Sequence, residues 1–442
     1  MNIAKITKAL ASLRLDGWSL LFQEEEKASL YLTKGEEVET SIGSRRVSAD
    51  VIIYRKYGKE VGDARFTIFS DDEQELKEKV RDALIICSTA KKQAWPLPKK
   101  QAYSAVALAD EKIAAAFRKG ATEDVNLALW KRIRGAARKE KGVNISAAEL
   151  HLRKARSIVR NSEGVDAASI RTDLFIEAIF TSFSGAGKGR REQEFHASQT
   201  VGRLAEFDSV RFVKEYSQLA RDVLRAERFE RVQESGIVLT GEALREFWAP
   251  NLDLNPVVFH AGAQVKYRGL SRYDVGKRIT NNARVSISSN PLVPFNPGSS
   301  RFDFDGVASQ RVAIIEKGVV RKYFASQRYA YYLRVRPTGG LGVIELLSGK
   351  EPSSRLMDRH IVEIVSFSSF SPNSVSGDFS AEIRLGYLHA DGKRIPVRAA
   401  MLSGNVFAML DAMRMSRERM VAEKYSGPMT VRFDDGCRLA GF

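Results

Sequence analysis

Apolar residues at Ile3, Ile6, Leu10 and Leu13 recur at helical spacing and predict an opening helix over 3–14. A period of two then takes over in four short stretches, 18–23, 28–33, 47–55 and 64–69. Lys34-Gly35-Glu36 and Lys56-Tyr57-Gly58-Lys59 supply turns between them, which is the pattern of a strand meander. Ser70-Asp71-Asp72-Glu73 offers a helix N-cap with acidic residues in the first turn, and the helix it starts runs to about residue 90. Trp95-Pro96-Leu97-Pro98 breaks the pattern and reads as a linker.

Residues 108–141 are again helical in pattern. Strands follow at 143–153, 155–161, 167–182 and 193–205, with Asn161-Ser162-Glu163-Gly164-Val165 as a turn between two of them. A helix over 207–229 precedes a short strand at 236–240 and a helix at 241–248. From there strands alternate with Gly, Pro, Asn and Ser turns up to Pro396. A late helix is expected over 404–420 and a last strand over 429–433. The expected class is α+β. Three parts are expected: an N-terminal helix, meander and helix unit (1–92), a helical and β middle region (93–230), and a large β-rich unit (231–442).

Composition narrows the picture. No stretch reaches the roughly 18 apolar residues of a membrane span. Met1-Asn2-Ile3-Ala4-Lys5 leads into an amphipathic helix without the features of a signal peptide, so a cytoplasmic protein is expected. Cys87 and Cys437 lie far apart and form neither a disulfide framework nor a zinc spacing. The net charge of +16 admits nucleic acid, an acidic partner or an acidic substrate; many of the cations lie between residues 91 and 160, where the ordinary reading is a set of solvated helix faces. Aromatic residues are sparse there (Trp95, Tyr103, Phe117, Trp130), which disfavours a single-strand stacking platform.

Motifs for self-sufficient chemistry are absent. The histidines (151, 196, 260, 360 and 389) show no His-Glu-x-x-His spacing. Gly185-Ala186-Gly187-Lys188-Gly189 lacks the Ser or Thr of a phosphate loop and reads as a hairpin loop. Asp303 and Asp305, in Phe302-Asp303-Phe304-Asp305-Gly306, would share a face on a strand and suit acid–base work or a cation; the alternative is a turn closed by Gly306. Cys437 has no histidine near it in sequence and is a weak nucleophile candidate.

Several segments together resemble the TldD/PmbA family. Asn373-Ser374-Val375-Ser376-Gly377-Asp378-Phe379-Ser380 resembles its Asn-x-x-(Thr/Ser)-Gly-Asp-Phe-Ser signature, and Gly404-Asn405 follows where the family has Gly-Asn. Phe302 to Val307, Glu316 to Phe324 and Asn161 to Val165 match further motifs in the family's order, and the likeness spans roughly residues 15–442. Asn290-Pro291 departs from the usual Asp-Pro, and Arg45, Arg46, Lys56 and Lys59 add charge to the N-terminal strands.

TldD-type members of that family carry a His-Glu-x-x-x-His zinc helix; PmbA-type members, also called TldE, lack it. Here the equivalent segment is Leu239 to Phe247. Glu242 falls on the catalytic glutamate, while Gly241 and Glu246 fall where the histidines should be. The Gly436 to Gly441 end also resembles PmbA. The resemblance implies a chain that binds no cofactor and has no catalytic residue of its own. Zinc would reside on a TldD-type partner in a heterodimer that cleaves or matures unfolded peptides, and this chain would supply chamber walls. Asn373, Gly377, Asp378, Phe379, Ser380, Gly404, Asn405, Asp303 and Asp305 are the candidate peptide- or partner-binding residues. The alternatives are a homodimeric peptide binder, an independent hydrolase built from Glu242, Asp303, Asp305 and His260, and a basic nucleic-acid binder.

Overall fold

A computed structural model describes residues 1–33, 37–185, 190–249, 255–357 and 360–441. The expected turn at 34–36, and residues 186–189 of the expected hairpin loop, lie outside the described residues. The class is α+β, as the periodicities predict.

Helix α1 (Ile3–Ser12) is capped by Asn2, whose side chain accepts from the Lys5 N–H, and it buries Ile6 and Leu10. It precedes a seven-stranded antiparallel sheet containing β1 (Gly17–Thr33), β2 (Glu37–Tyr57), β3 (Glu60–Ile68), β4 (Lys91–Gln93), β5 (Val143–Asn161), β6 (Asp166–Ser184) and β7 (Arg191–Val201). Its spatial order is β4-β3-β2-β1-β5-β6-β7. The pairing of β1 with β5 makes the N-terminal and middle segments one sheet.

The strands are longer than the apolar alternation implies. Glu24-Glu25-Glu26-Lys27 reads as a break, yet β1 runs through it. Neighbouring strands supply counter-charges: Arg45 lies 2.5 Å from Glu24, and Lys154 lies 2.6 Å from Glu26. Cross-strand ion pairs replace apolar contacts there.

Helix α2 (Glu73–Thr89), capped by Asp72, packs on β3. Helices α3 (Glu111–Lys119), α4 (Thr122–Ala137) and α5 (Ser209–Arg225) cover the half of the sheet around β5 to β7. Trp130 and Ile133 of α4, with Phe212, Val213 and Tyr216 of α5, share a core with Leu150, Phe180 and Phe195 of the strands. The same core takes in Leu385 and Tyr387 of the C-terminal unit, so α5 bridges the two.

The C-terminal unit contains a ten-stranded and a six-stranded sheet around one large apolar core. The strand Ile237–Leu239 lies parallel to Ile361–Pro372 and leads straight into α6 (Gly241–Trp248). The helix expected over 404–420 is not there. Ala400–Asn405 is a strand, Val406–Met409 a single helical turn, and Met413–Met415 and Arg419–Ala422 are strands. The apolar run 406–415 is short enough to read either way, and tertiary hydrogen bonds decide it. Asp411 accepts from Thr280 Oγ1 at 2.5 Å and the Asn281 N–H at 2.7 Å, while Asn282 Nδ2 donates to the carbonyls of Leu410 and Met413. The two Asn282 bonds capture backbone carbonyls that a continuing helix would need, and the Asp411 bonds hold the chain beside them. Past the expected last strand, Cys437–Gly441 is a further strand, paired with Ala400–Asn405.

Candidate functional site

A cavity of about 1130 Å³ lies between one face of the first sheet and the C-terminal unit. Its floor follows from the two-residue period of a strand. Gln23 and Glu25 of β1, Arg153 and Ser157 of β5, Ser169, Arg171 and Asp173 of β6, and His196, Ser198 and Thr200 of β7 all line it. In register, Gln23 stands opposite Ser157, which stands opposite Ser169, and Arg153 stands opposite Asp173. These alternating polar residues form one face of the sheet, and the C-terminal unit covers that face.

The opposite wall is built around α6. Ala243, Leu244, Phe247 and Trp248 are buried in the large core, which leaves Glu242, Arg245 and Glu246 facing the cavity. Ser366 Oγ donates to Glu242 Oε2 at 3.0 Å. Arg245 approaches Glu242 to 3.9 Å and Glu423 to 3.8 Å, both longer than a contact ion pair. Burial pushes the Glu242 carboxyl up, against the pull of Arg245, Ser366 and Tyr216. Burial and then the neighbouring Glu242 push Glu246 up as well. Burial works against the charge on Arg245, yet Tyr216, Glu423 and Glu242 outweigh it, and its pKa is raised. On the floor, burial raises Asp173 even though Arg153 sits 2.5 Å away.

Gly241 opens α6 with φ +54°, in the left-handed region. A Cβ there would lie 3.1 Å from Val365 Cγ1, so the backbone and the packing both favour glycine. Gly241 offers no side-chain ligand, and α6 adds only Glu242 and Glu246. Zinc sites instead use at least three imidazole, thiolate or carboxylate donors from the protein. Among the described residues no group of three or more His, Cys, Asp or Glu converges to hold a metal ion. The residues present at α6 therefore do not fit a resident zinc.

Asp303 and Asp305 lie in a turn, not on a strand. Asp303 Oδ1 accepts from the N–H groups of Asp305 at 3.0 Å and Val307 at 2.9 Å, and Gly306 closes the turn with φ +87°. Asp303 lines the cavity, and burial followed by the charge of Asp305 pushes it up to about 7. Asp305 belongs to another neighbourhood, with Asp63, Arg328 and Arg65.

The Asn373 to Ser380 segment and Gly404-Asn405 form a knot away from the cavity walls. Asn373 Oδ1 accepts from the Val375 and Ser376 N–H groups, which folds the turn before Asp378. Gly377 holds φ +84°, and a Cβ there would meet the Phe407 ring at 2.5 Å. Asn405 Nδ2 donates to Asp378 Oδ1 at 2.8 Å, while Asn405 Oδ1 caps the following turn. Gly404 lets Cys437 pass close by. Phe379 meets Phe247 edge-on at 5.5 Å, so the knot supports α6 from behind; Ser380 is exposed.

His260 belongs to this knot. Its Nδ1 accepts from the Arg272 N–H at 3.2 Å, and its Nε2 donates to the Val375 carbonyl at 2.9 Å. It does not join Glu242 and Asp303 in the cavity wall. Cys437 is buried, and burial followed by Asp435 and Asp434 pushes its thiol up to about 12, unlike a nucleophilic cysteine. Sequence reading missed the cavity's His196, Arg171, Arg245, Arg384 and Glu423. For Arg171 and His196 the available signal was the polar alternation in β6 and β7; Arg245, Arg384 and Glu423 lie on other elements and carried no such signal. Among the described residues no helix is long and apolar enough to cross a membrane.

Residues 252–436 match the family model for the PmbA/TldA metallopeptidase C-terminal domain, a span that begins just after α6. An uncharacterised protein of Methanocaldococcus jannaschii is 25% identical over 194 residues, covering 40% of this chain and 44% of that protein. A Thermotoga maritima protein described as a candidate modulator of a DNA gyrase has a similar structure, with TM-score 0.81 and 17% identity over 99% of both chains. TldE from Thermococcus kodakarensis is similar too, with TM-score 0.79 and 16% identity over 97% of each chain. The fold is thus shared over nearly the whole length.

Proposed function

We propose that the chain is a TldE-type member of the TldD/PmbA family, acting as the zinc-free subunit of a metallopeptidase assembly that takes unfolded peptides. The carrying observation is α6: it opens on Gly241 and presents Glu242, Arg245 and Glu246 in the cavity wall, a set with no imidazole. The partner would hold the zinc, and this chain would contribute chamber wall.

Extended peptide suits the surroundings. The strand β7 and the strand Arg419–Ala422 each lie at the end of their sheet, and residues of both line the cavity. A free strand edge pairs with an extended chain through main-chain hydrogen bonds, whatever its sequence, and a folded protein has no such strand to offer. The test is elemental analysis of the purified chain together with a digest of an unfolded peptide. Expected are negligible zinc and no cleavage. Near-stoichiometric zinc with chelator-sensitive cleavage would overturn the reading.

A second reading, an independent hydrolase, draws on Glu242, Glu246 and Asp303 lining one cavity. It requires turnover by the isolated chain that Glu242→Ala abolishes.

A further inference from the structure

On another face the helices Gln327–Leu333 and Ala263–Tyr267 meet beside the linker after β4. Aromatic rings form a chain there. Tyr54 meets Trp95 at 5.9 Å, Trp95 meets Tyr332 at 6.1 Å, and Tyr332 meets Tyr267 at 4.9 Å between centroids. The Arg328 guanidinium lies 4.8 Å from the Trp95 ring and 5.5 Å from that of Tyr332. Two hydrogen bonds fix this base to the linker: Tyr332 Oη donates to the Gln93 carbonyl at 2.5 Å, and Gln327 Nε2 to the Pro96 carbonyl at 3.0 Å.

On that base, large apolar surface faces water: Tyr267 is 47%, Tyr331 48% and Leu270 49% exposed. Arg268, Arg334 and Arg336 are exposed beside them and make no ion pair among the described residues. The neighbouring carboxylate of Asp274 is already taken by Lys266 and Lys277.

We propose that this Tyr/Arg face docks an acidic protein chain of different sequence, namely the metal-holding subunit that the preceding reading requires and on which this inference rests. Exposed tyrosine and arginine on a preformed base are the ingredients of interface hot spots, because little conformational freedom is lost on binding. Charge selects the partner. In a two-fold dimer each copy offers the same patch to the other. Arg268, Arg334 and Arg336 would then meet their own like charges, in a chain already at +16. An acidic surface removes that repulsion and supplies the missing ion pairs. Single-stranded nucleic acid would use the same charges, but it grips bases on open ring faces. Here Trp95 and Tyr332 are already engaged with one another, and aliphatic Leu270 and Val335 lie among the arginines.

The test pairs the full-length chain with a purified TldD-type chain, bearing the His-Glu-x-x-x-His helix, from the same genome. Calorimetry follows Arg334→Glu/Arg336→Glu, Tyr331→Ala and a control of equal charge change elsewhere, Lys8→Glu/Arg81→Glu. Expected is a one-to-one complex weakened at least about tenfold by the first two variants, steeply salt-dependent, and little changed by the control. A complex indifferent to both face variants overturns the docking face and leaves the subunit reading standing. Absence of any complex overturns both. A self-dimer that the face variants dissociate, or oligothymidine binding that they abolish, assigns the face to another occupant and overturns the proposal.

Discussion

Arg245→Met removes a cation between Glu242 and Glu423 and keeps an unbranched stem. Its guanidinium lies 3.9 Å from Glu242 and 3.8 Å from Glu423. At such separations each pair attracts by about 4 kcal/mol at an effective dielectric of 20. Desolvation of the charges offsets most of that. Glu423 is 38% exposed, so water screens its share. Glu242 is only 20% exposed; without Arg245 it becomes an uncompensated buried charge, at a cost of about 3 kcal/mol when ionised.

Proton uptake relieves that cost, and its sign can be worked out. The folded pKa of Glu242 stands above its unfolded value. The stability this proton contributes is complete below the unfolded pKa and is lost as pH rises through the folded pKa. Removing Arg245 raises the folded pKa further, so the deficit of the variant grows with pH, by at most about 1.4 kcal/mol per unit. Urea unfolding at about pH 5 and about pH 8 measures it. Expected is a large loss at the higher pH, a much smaller one at the lower, and recovery of most of it in Arg245→Met/Glu242→Gln. A deficit equal at both pH values, or untouched by Glu242→Gln, refutes the reasoning.

Gly377→Ala meets both a φ of +84° and the Phe407 ring at 2.5 Å, so thermal unfolding should register a loss of about 3 kcal/mol. Asp303→Asn keeps the oxygen that accepts from Asp305 and Val307 but removes a charge that burial disfavours. Because the folded pKa is raised to about 7, stability from Asp303 falls as pH rises towards and through that value. The variant should therefore raise the urea midpoint at about pH 8 and leave it unchanged at about pH 4; a drop at pH 8 would count against the burial account. Cys437, pushed up to about 12, and the fully buried Cys87 should react with a thiol reagent at about pH 8 only on unfolding. Immediate native-state labelling would contradict that.

Local physics made much of this chain legible. The opening helix, the Asp72 cap, α5 and α6 follow from apolar spacing and capping groups that act within one or two turns. The strand segments around β5 to β7 follow from alternation, although their full lengths do not. The signature segments were legible as a resemblance, and Asn373, Gly377 and Asn405 are residues whose side chains or missing Cβ atoms shape their own turns.

What lies far apart in sequence was settled only in three dimensions. Glu24 to Lys27 became strand because Arg45 and Lys154 arrive from β2 and β5. Residues 404–420 left the helix because Thr280, Asn281 and Asn282 hold the chain at Leu410, Asp411 and Met413. Asp303 and Asp305, neighbours in sequence, face different surroundings, whereas Glu242 and Asp303 line one cavity. The sequence by itself determined which side chains α6 can offer: two carboxylates, a guanidinium and no imidazole. The tertiary structure decided that they face the polar side of the first sheet across one cavity, half-buried. Burial is a property of what covers a surface, and the covering segments lie too far along the chain for any local pattern to report them.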